Sequence, residues 1–143
     1  MSAGTGITHS EYNGGDYELR LMQMWILPDK KGHMPNYGDQ KFAWEALIDK
    51  WLPIAAGHTN RQSDAPIKIH ADANVYAAYI SAGCAIDFEL NNSRQAYLVL
   101  LEGDATVENI KMTARDALEI IGQSVTITAI AGAHLYVIDL PRD

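Results

Sequence analysis

His9 and Glu11 stand one residue apart in the stretch GTGITHSEYN, residues 4–13. On a strand, positions i and i+2 point to the same face. An imidazole and a carboxylate so placed can reach one cation. A transition metal held by protein normally takes three or four protein donors, and only eight residues precede His9. Those eight residues hold no His, Cys, Asp or Glu, so further donors are looked for among the other histidines. The remaining histidines are His33, His58, His70 and His134, and none forms a His-x-His pair. His33 falls in a loop after a strand that ends at Leu27. His58 lies in a polar loop and His134 opens the last strand, so both are expected to be solvated. His70, inside KIHAD, is expected to sit in a strand wall or to be hydrogen-bonded. A complete metal site within one chain is therefore not expected.

The elements that must position this pair are mostly short strands. YELRLMQMWIL (17–27) places Leu19, Leu21, Gln23 and Trp25 on one face, and Pro28 closes it. Further strands are expected at 66–71, 74–81, 84–90, 96–103, 104–112, 116–122, 124–131 and 134–140. Turn signals separate them: SAG at 81–83, NNS at 91–93, EGD at 102–104, GQS at 122–124 and AGA at 131–133. Many short strands at this spacing indicate a sandwich or barrel. FAWEALIDKWL (42–52) instead carries Trp44, Leu47, Ile48, Trp51 and Leu52 at helical spacing, so a short helix stopped by Pro53 is expected. Its tryptophans read as core anchors. AGHTNRQSDAP (56–66) reads as a surface loop.

Composition excludes several classes. The 143 residues suit one compact domain, 48% is apolar and the formal net charge is −7. A surface of that sign repels nucleic-acid phosphates and anionic membranes, so neither is an expected partner. No apolar run approaches a membrane span, and no basic-then-apolar leader is present. The single cysteine, Cys84, cannot form an internal disulfide, which fits a cytoplasmic setting. Within GCAIDFEL it reads as core packing. Asp87 and Glu89 alternate with Ile86 and Phe88, the pattern of a solvated face. AGTG at 3–6 is too short for a dinucleotide fingerprint, and His9-Ser10-Glu11 cannot act as a triad, because adjacent strand residues diverge.

MSAGTGITHSEYN resembles the segment that closes the first barrel in the pirin family, two-barrel cupin proteins that include quercetin dioxygenases. ELRLMQMWILPDKKGHMPNYGDQKF is similar to the family's inter-barrel connection. IKIHADANVYAAYI, VLLEGDATVENIKM, DALEI and LYVIDLP are similar to its second barrel. The likeness runs over nearly the whole chain and weakens through 43–65. It implies an all-β cupin (jelly-roll) barrel at 41–143. Residues 1–40 would then be the remnant of a first barrel with its connection, including N-terminal strands at 6–12 and 17–27. Family members hold iron or a similar metal with four first-barrel residues. Two of these match His9 and Glu11; the other two belong to a His-Pro-His stretch that lies upstream of the family's M-S-A-G segment. The second-barrel regions CAIDFELNNSRQAYLVLLEG and ARDALEIIGQSVTITAI contain no histidine, as in the family's metal-free second barrel.

Two functions follow from the resemblance. The first is a non-catalytic module that binds a small molecule or a protein, or drives assembly, with no cofactor. Its N-terminal strands would leave an edge and Ile7, Leu19, Leu21, Met22, Met24 and Trp25 uncovered, which implies a homo-oligomer joined through them. The alternative is a metal-dependent quercetin 2,3-dioxygenase-type enzyme. Its iron, manganese or zinc site would be completed across an oligomer interface, with His9 and Glu11 as ligands or Glu11 as the catalytic base. A truncated gene product, or a true start upstream, is a third reading.

Overall fold

The computed structural model describes residues 1–142. Among them ten strands form two facing sheets. In chain order they are β1 (Leu52–Gly57), β2 (Ile67–Ile69), β3 (Asn74–Ile80), β4 (Ala85–Phe88) and β5 (Arg94–Glu102). They continue with β6 (Asp104–Val107), β7 (Ile110–Thr113), β8 (Ala117–Ile121), β9 (Val125–Ala129) and β10 (Ala133–Pro141). The larger sheet runs β2-β1-β3-β10-β5-β8 and the smaller β4-β9-β6-β7. All pairings are antiparallel except β1 with β2. This is the expected all-β barrel, and strand alternation builds its core. Ala133, Leu135 and Val137 of β10 point inward with Leu98 and Leu100 of β5 and with Ala78 and Ile80 of β3. Phe88, Val107, Ile120, Val125 and Ile127 complete the cluster from the other strands. Trp51 seals one end: its indole N–H donates to the Asp87 carbonyl at 2.7 Å, and its ring meets Phe88 edge-on at 5.1 Å.

Glycine is required where the turn between β5 and β6 meets the turn before β10. Gly103 has φ +88°, and a Cβ there would lie 1.8 Å from the Gly132 carbonyl oxygen. Gly132 is in turn covered by the Tyr79 hydroxyl, 2.0 Å from where its own Cβ would stand.

Three elements differ from the sequence reading. Residues 42–52 form no amphipathic helix: a single 3-10 turn spans Trp44–Ala46, and β1 already begins at Leu52. Backbone pairing outcompetes the helix. Asp49 N–H donates to the Tyr79 carbonyl, Tyr79 N–H donates to the Leu47 carbonyl, and the Asp49 carboxylate accepts from the Ser81 amide and hydroxyl. Pro53 lies inside β1, opposite Tyr76, and the register shifts between Pro53 and Ala55. β2 pairs only from Ala55 onward, so the absent proline N–H faces an unpaired edge. Trp44 is 47% exposed and leans on Tyr79 and His134 outside the core.

The second difference is the N-terminal segment. Neither 6–12 nor 17–27 is a strand; the segment is irregular, with one isolated bridge between Ser2 and Asn36. A strand needs a neighbour to accept its backbone bonds, and this stretch has none. It touches the barrel through Arg20, whose guanidinium donates to Glu102 at 3.1 Å, and through Asp29, whose N–H donates to the His70 carbonyl at 2.8 Å. Third, Cys84 is exposed and not a core residue. It closes the turn after β3, donating to the Ser81 carbonyl and accepting from the Ala129 N–H. In addition, the expected strand 104–112 is two strands, β6 and β7, folded into a hairpin. No helix among the described residues is long and apolar enough to cross a membrane.

Candidate functional site

The imidazole of His9 and the carboxylate of Glu11 approach to 3.9 Å (Nε2 to Oε1), with side chains 41% and 59% exposed. They point to one side of the segment although it is not a strand. No third donor joins them: among the described residues no group of three His, Cys, Asp or Glu side chains is arranged to hold a metal ion. Two exposed donors do not by themselves fit a resident transition metal. Any such site needs donors from beyond this pair.

Three other histidines meet where the sequence gives no hint of it. His33, from the connecting segment, stacks on His70 with ring centroids 3.9 Å apart and planes within 10°. His58, just after β1, meets the His70 ring at 5.0 Å and 62°. His33 Nε2 lies 2.6 Å from Asp29 Oδ1. That hydrogen bond, more than the charge of the ring, holds the Asp29 carboxyl below its ordinary value. His70 Nδ1 is buried with no hydrogen-bond partner. Desolvation first, then any charge on His33 and His58, pushes the His70 imidazole below its ordinary value. His70 is not in the strand wall expected for it: it stands in the bend just after β2, and its ring is not hydrogen-bonded at Nδ1. His58 is exposed as expected. His134 is not solvated: it is half-buried between Trp44 and Tyr136, its Nε2 has no partner, and burial lowers its proton affinity.

A polar network closes one end of the barrel. Asp139 continues the inward face of β10 and is buried. Its carboxylate accepts from Arg94 Nε at 2.5 Å and from Asn74 Nδ2 at 2.9 Å. Arg94 also donates to both oxygens of Asp72, at 3.1 and 3.3 Å, and Asn74 accepts from Asn60 at 2.9 Å. Burial opposes the Arg94 charge, but the hydrogen bond and charge of Asp139, with help from Asp72, outweigh it and raise the guanidinium above its ordinary value. Beside the network, a cavity of about 320 Å³ is lined by Trp51, Tyr76, Phe88, Glu89, Asp87 and Asp139. Burial, reinforced by the Asp139 charge, raises the Tyr76 phenol. A more open groove of about 740 Å³ adjoins it, with Asp87, Glu89 and Glu108 along its wall. Two of those carboxylates are already engaged by the sheet: Thr126 donates its hydroxyl to Asp87 and its N–H to Glu108, each at 2.7 Å. The groove's acidity is thus partly structural. Asp87 and Glu89 are exposed, as their alternation indicates.

The sequence reading missed the Arg94–Asp139 network, yet carried its signal. In HLYVIDL the alternation that turns Leu135 and Val137 inward also turns Asp139 inward, and a buried acid needs a cation or donors. The histidine cluster had no comparable signal, because its members come from three separate stretches.

The match to known proteins covers the barrel and the segment before it. Residues 56–140 match the family model described as the quercetinase C-terminal cupin domain. The chain is 31% identical over 143 residues to the quercetin 2,3-dioxygenase of Escherichia coli K12, covering 99% of this chain and 59% of that protein. It is 35% identical over 140 residues to a pirin-like protein of Caulobacter vibrioides, covering 97% of this chain and 60% of that protein. Among solved structures, the bacterial pirin YhhW of Escherichia coli in complex with nickel(II) superposes with a TM-score of 0.72 at 22% identity. That superposition covers 83% of this chain and 49% of YhhW. The chain thus spans about six tenths of the length of these curated relatives.

Proposed function

The chain belongs to the pirin family of cupin proteins, and from that premise we propose that it is a non-catalytic module that works by assembly. Residues 1–40 form the contact surface and 41–143 the barrel that carries it. One observation supports this reading above the others. Leu19, Leu21, Trp25 and Leu27 are 58%, 62%, 88% and 89% exposed on an irregular segment, while Met22 and Ile26 between them are partly covered. An apolar row so presented costs free energy in water until another surface removes it. The occupant we propose is a second copy of this chain, whose segment is uncovered in the same way and can pair about a two-fold axis.

Sedimentation velocity across the micromolar range tests this. A dimer or larger species is expected, and Trp25→Ser with Leu27→Ser should shift it toward monomer without changing the far-ultraviolet spectrum. A wild-type monomer at high micromolar concentration overturns the proposal.

A second reading is favoured by the convergence of His9 and Glu11. It is the dioxygenase-type chemistry named for the Escherichia coli relative, with the remaining metal donors supplied by another chain or chain segment. A bound iron, manganese or zinc ion would supply Lewis-acid chemistry there, and iron or manganese redox chemistry as well. His9 and Glu11 would provide one nitrogen and one oxygen donor to it. Elemental analysis of untagged protein prepared without chelators separates the readings. Stoichiometric metal that is lost in His9→Ala supports the second; no metal after reconstitution leaves the first.

A further inference from the structure

We propose that His33, His58 and His70 form a pH-released clamp, which fastens the connecting segment to the barrel when neutral and lets it go when the cluster gains protons. The segment reaches the barrel here by the Asp29 amide donating to the His70 carbonyl and by the face-to-face stack of His33 on His70. His58 holds the same strand end from the other side, its own N–H donating to the Ile69 carbonyl at 2.9 Å. The ring centroids of His33 and His58 lie 3.9 and 5.0 Å from that of His70, so a proton on His70 is held close against both rings.

The charged groups that face His70 are few. Asp29 is paired with His33, and it can offset one positive charge. Lys30 adds positive charge from the same segment and opposes protonation of His70. On β2, just before His70, Lys68 donates instead to the Ser63 carbonyl at 2.8 Å. One carboxylate therefore faces three imidazoles and a lysine. His70 Nδ1 has no acceptor in the docked arrangement, so a proton placed there gains nothing until the segment leaves and water enters.

The sign follows from linkage. His70 binds a proton less readily when docked than its ordinary value of 6.5. Docking is therefore strongest above that value and weakens as pH falls below it. Complete exclusion of one proton on docking would shift the docking equilibrium by about tenfold between pH 7.5 and pH 5.5, which is the ceiling for a single group. The proposal stands whether or not the segment meets a second copy.

Hydrogen exchange read by mass spectrometry, corrected for the intrinsic pH dependence of exchange, tests it on the full chain. Protection of peptides spanning 28–36 is expected to fall severalfold, up to about tenfold, from pH 7.5 to pH 5.5 while β3, β5 and β10 keep theirs. His70→Phe keeps a ring to stack on His33 and loses no Nδ1 hydrogen bond. It should retain protection at pH 7.5 and lose the pH response. Unchanged protection in the wild type, or an undiminished response in His70→Phe, overturns the clamp. Should that variant fail to fold, nuclear magnetic resonance titration of the wild-type His70 ring decides: a midpoint below 6.5 supports the clamp, and one at or above 6.5 overturns it.

Discussion

Replacing Asp139 by alanine probes the polar network that closes the barrel. Its side chain is 11% exposed and that of its partner Arg94 is 21% exposed, so the pair is shielded from water on most sides. Removing one member of a buried ion pair costs about 3–5 kcal/mol, because the other charge is left behind. Two features reduce that here. Arg94 keeps its contacts with Asp72, and its residual exposure admits some water. The Asn74 amide, however, also loses its acceptor, which adds about 1 kcal/mol. A net loss of about 3 kcal/mol is expected, which for a domain of this size lowers Tm by about 9 °C. Differential scanning calorimetry at neutral pH reads it directly. Asp72→Ala is the control: Asp72 is 63% exposed, and a pair open to solvent is worth at most about 1 kcal/mol. The double replacement of Arg94 by Met and Asp139 by Leu should recover most of the Asp139→Ala loss, since no charge is stranded. A Tm change for Asp139→Ala no larger than that for Asp72→Ala would refute the reasoning. So would a double variant as unstable as the single one.

Other consequences are simpler to check. Gly103→Ala combines a left-handed backbone with a Cβ driven into the Gly132 carbonyl, and should cost at least about 2 kcal/mol in chemical denaturation. Asp49→Ala removes both side-chain bonds to Ser81, and should cost about 1–2 kcal/mol while loosening residues 44–50 in hydrogen exchange. Cys84 is exposed, so a thiol reagent should modify it stoichiometrically in the folded protein, without the denaturant a buried thiol would need. His134 binds a proton less readily folded than unfolded because it is buried. Its contribution to stability is complete above about pH 6.5 and is lost as pH falls below it, and His134→Phe should flatten that limb of the stability curve.

The barrel was legible because alternation is a local signal with a global consequence. In β5 the inward run Ala96, Leu98 and Leu100 is apolar, as is Ala133, Leu135 and Val137 in β10, and the strands pair so that those positions share one interior. Where a segment's structure depends on a distant partner, the local signal misleads. FAWEALIDKWL has a helical stripe, yet the N–H and C=O groups of Tyr79 in β3 hold Leu47 and Asp49 in an isolated bridge centred on Ile48. YELRLMQMWIL has a strand's alternation, yet no described backbone pairs with it, so only its two faces survive, one partly covered and one bare.

The candidate site divides along the same line. His9 and Glu11 converge because one intervening residue is enough to bring them together, but two donors are all that local spacing can deliver. The histidine cluster needs the connecting segment laid against the end of β2, a tertiary fact that no spacing encodes. His9, Glu11 and His33 sit on the segment before the barrel, whereas His58 and His70 follow β1 and β2; the barrel's interior is filled by aliphatic side chains and capped by a satisfied Asp139. Beside that cap the barrel keeps a cavity of about 320 Å³ lined by Trp51, Tyr76, Phe88 and Asp139. Along the chain, the exposed row from Leu19 to Leu27 falls between His9–Glu11 and His33.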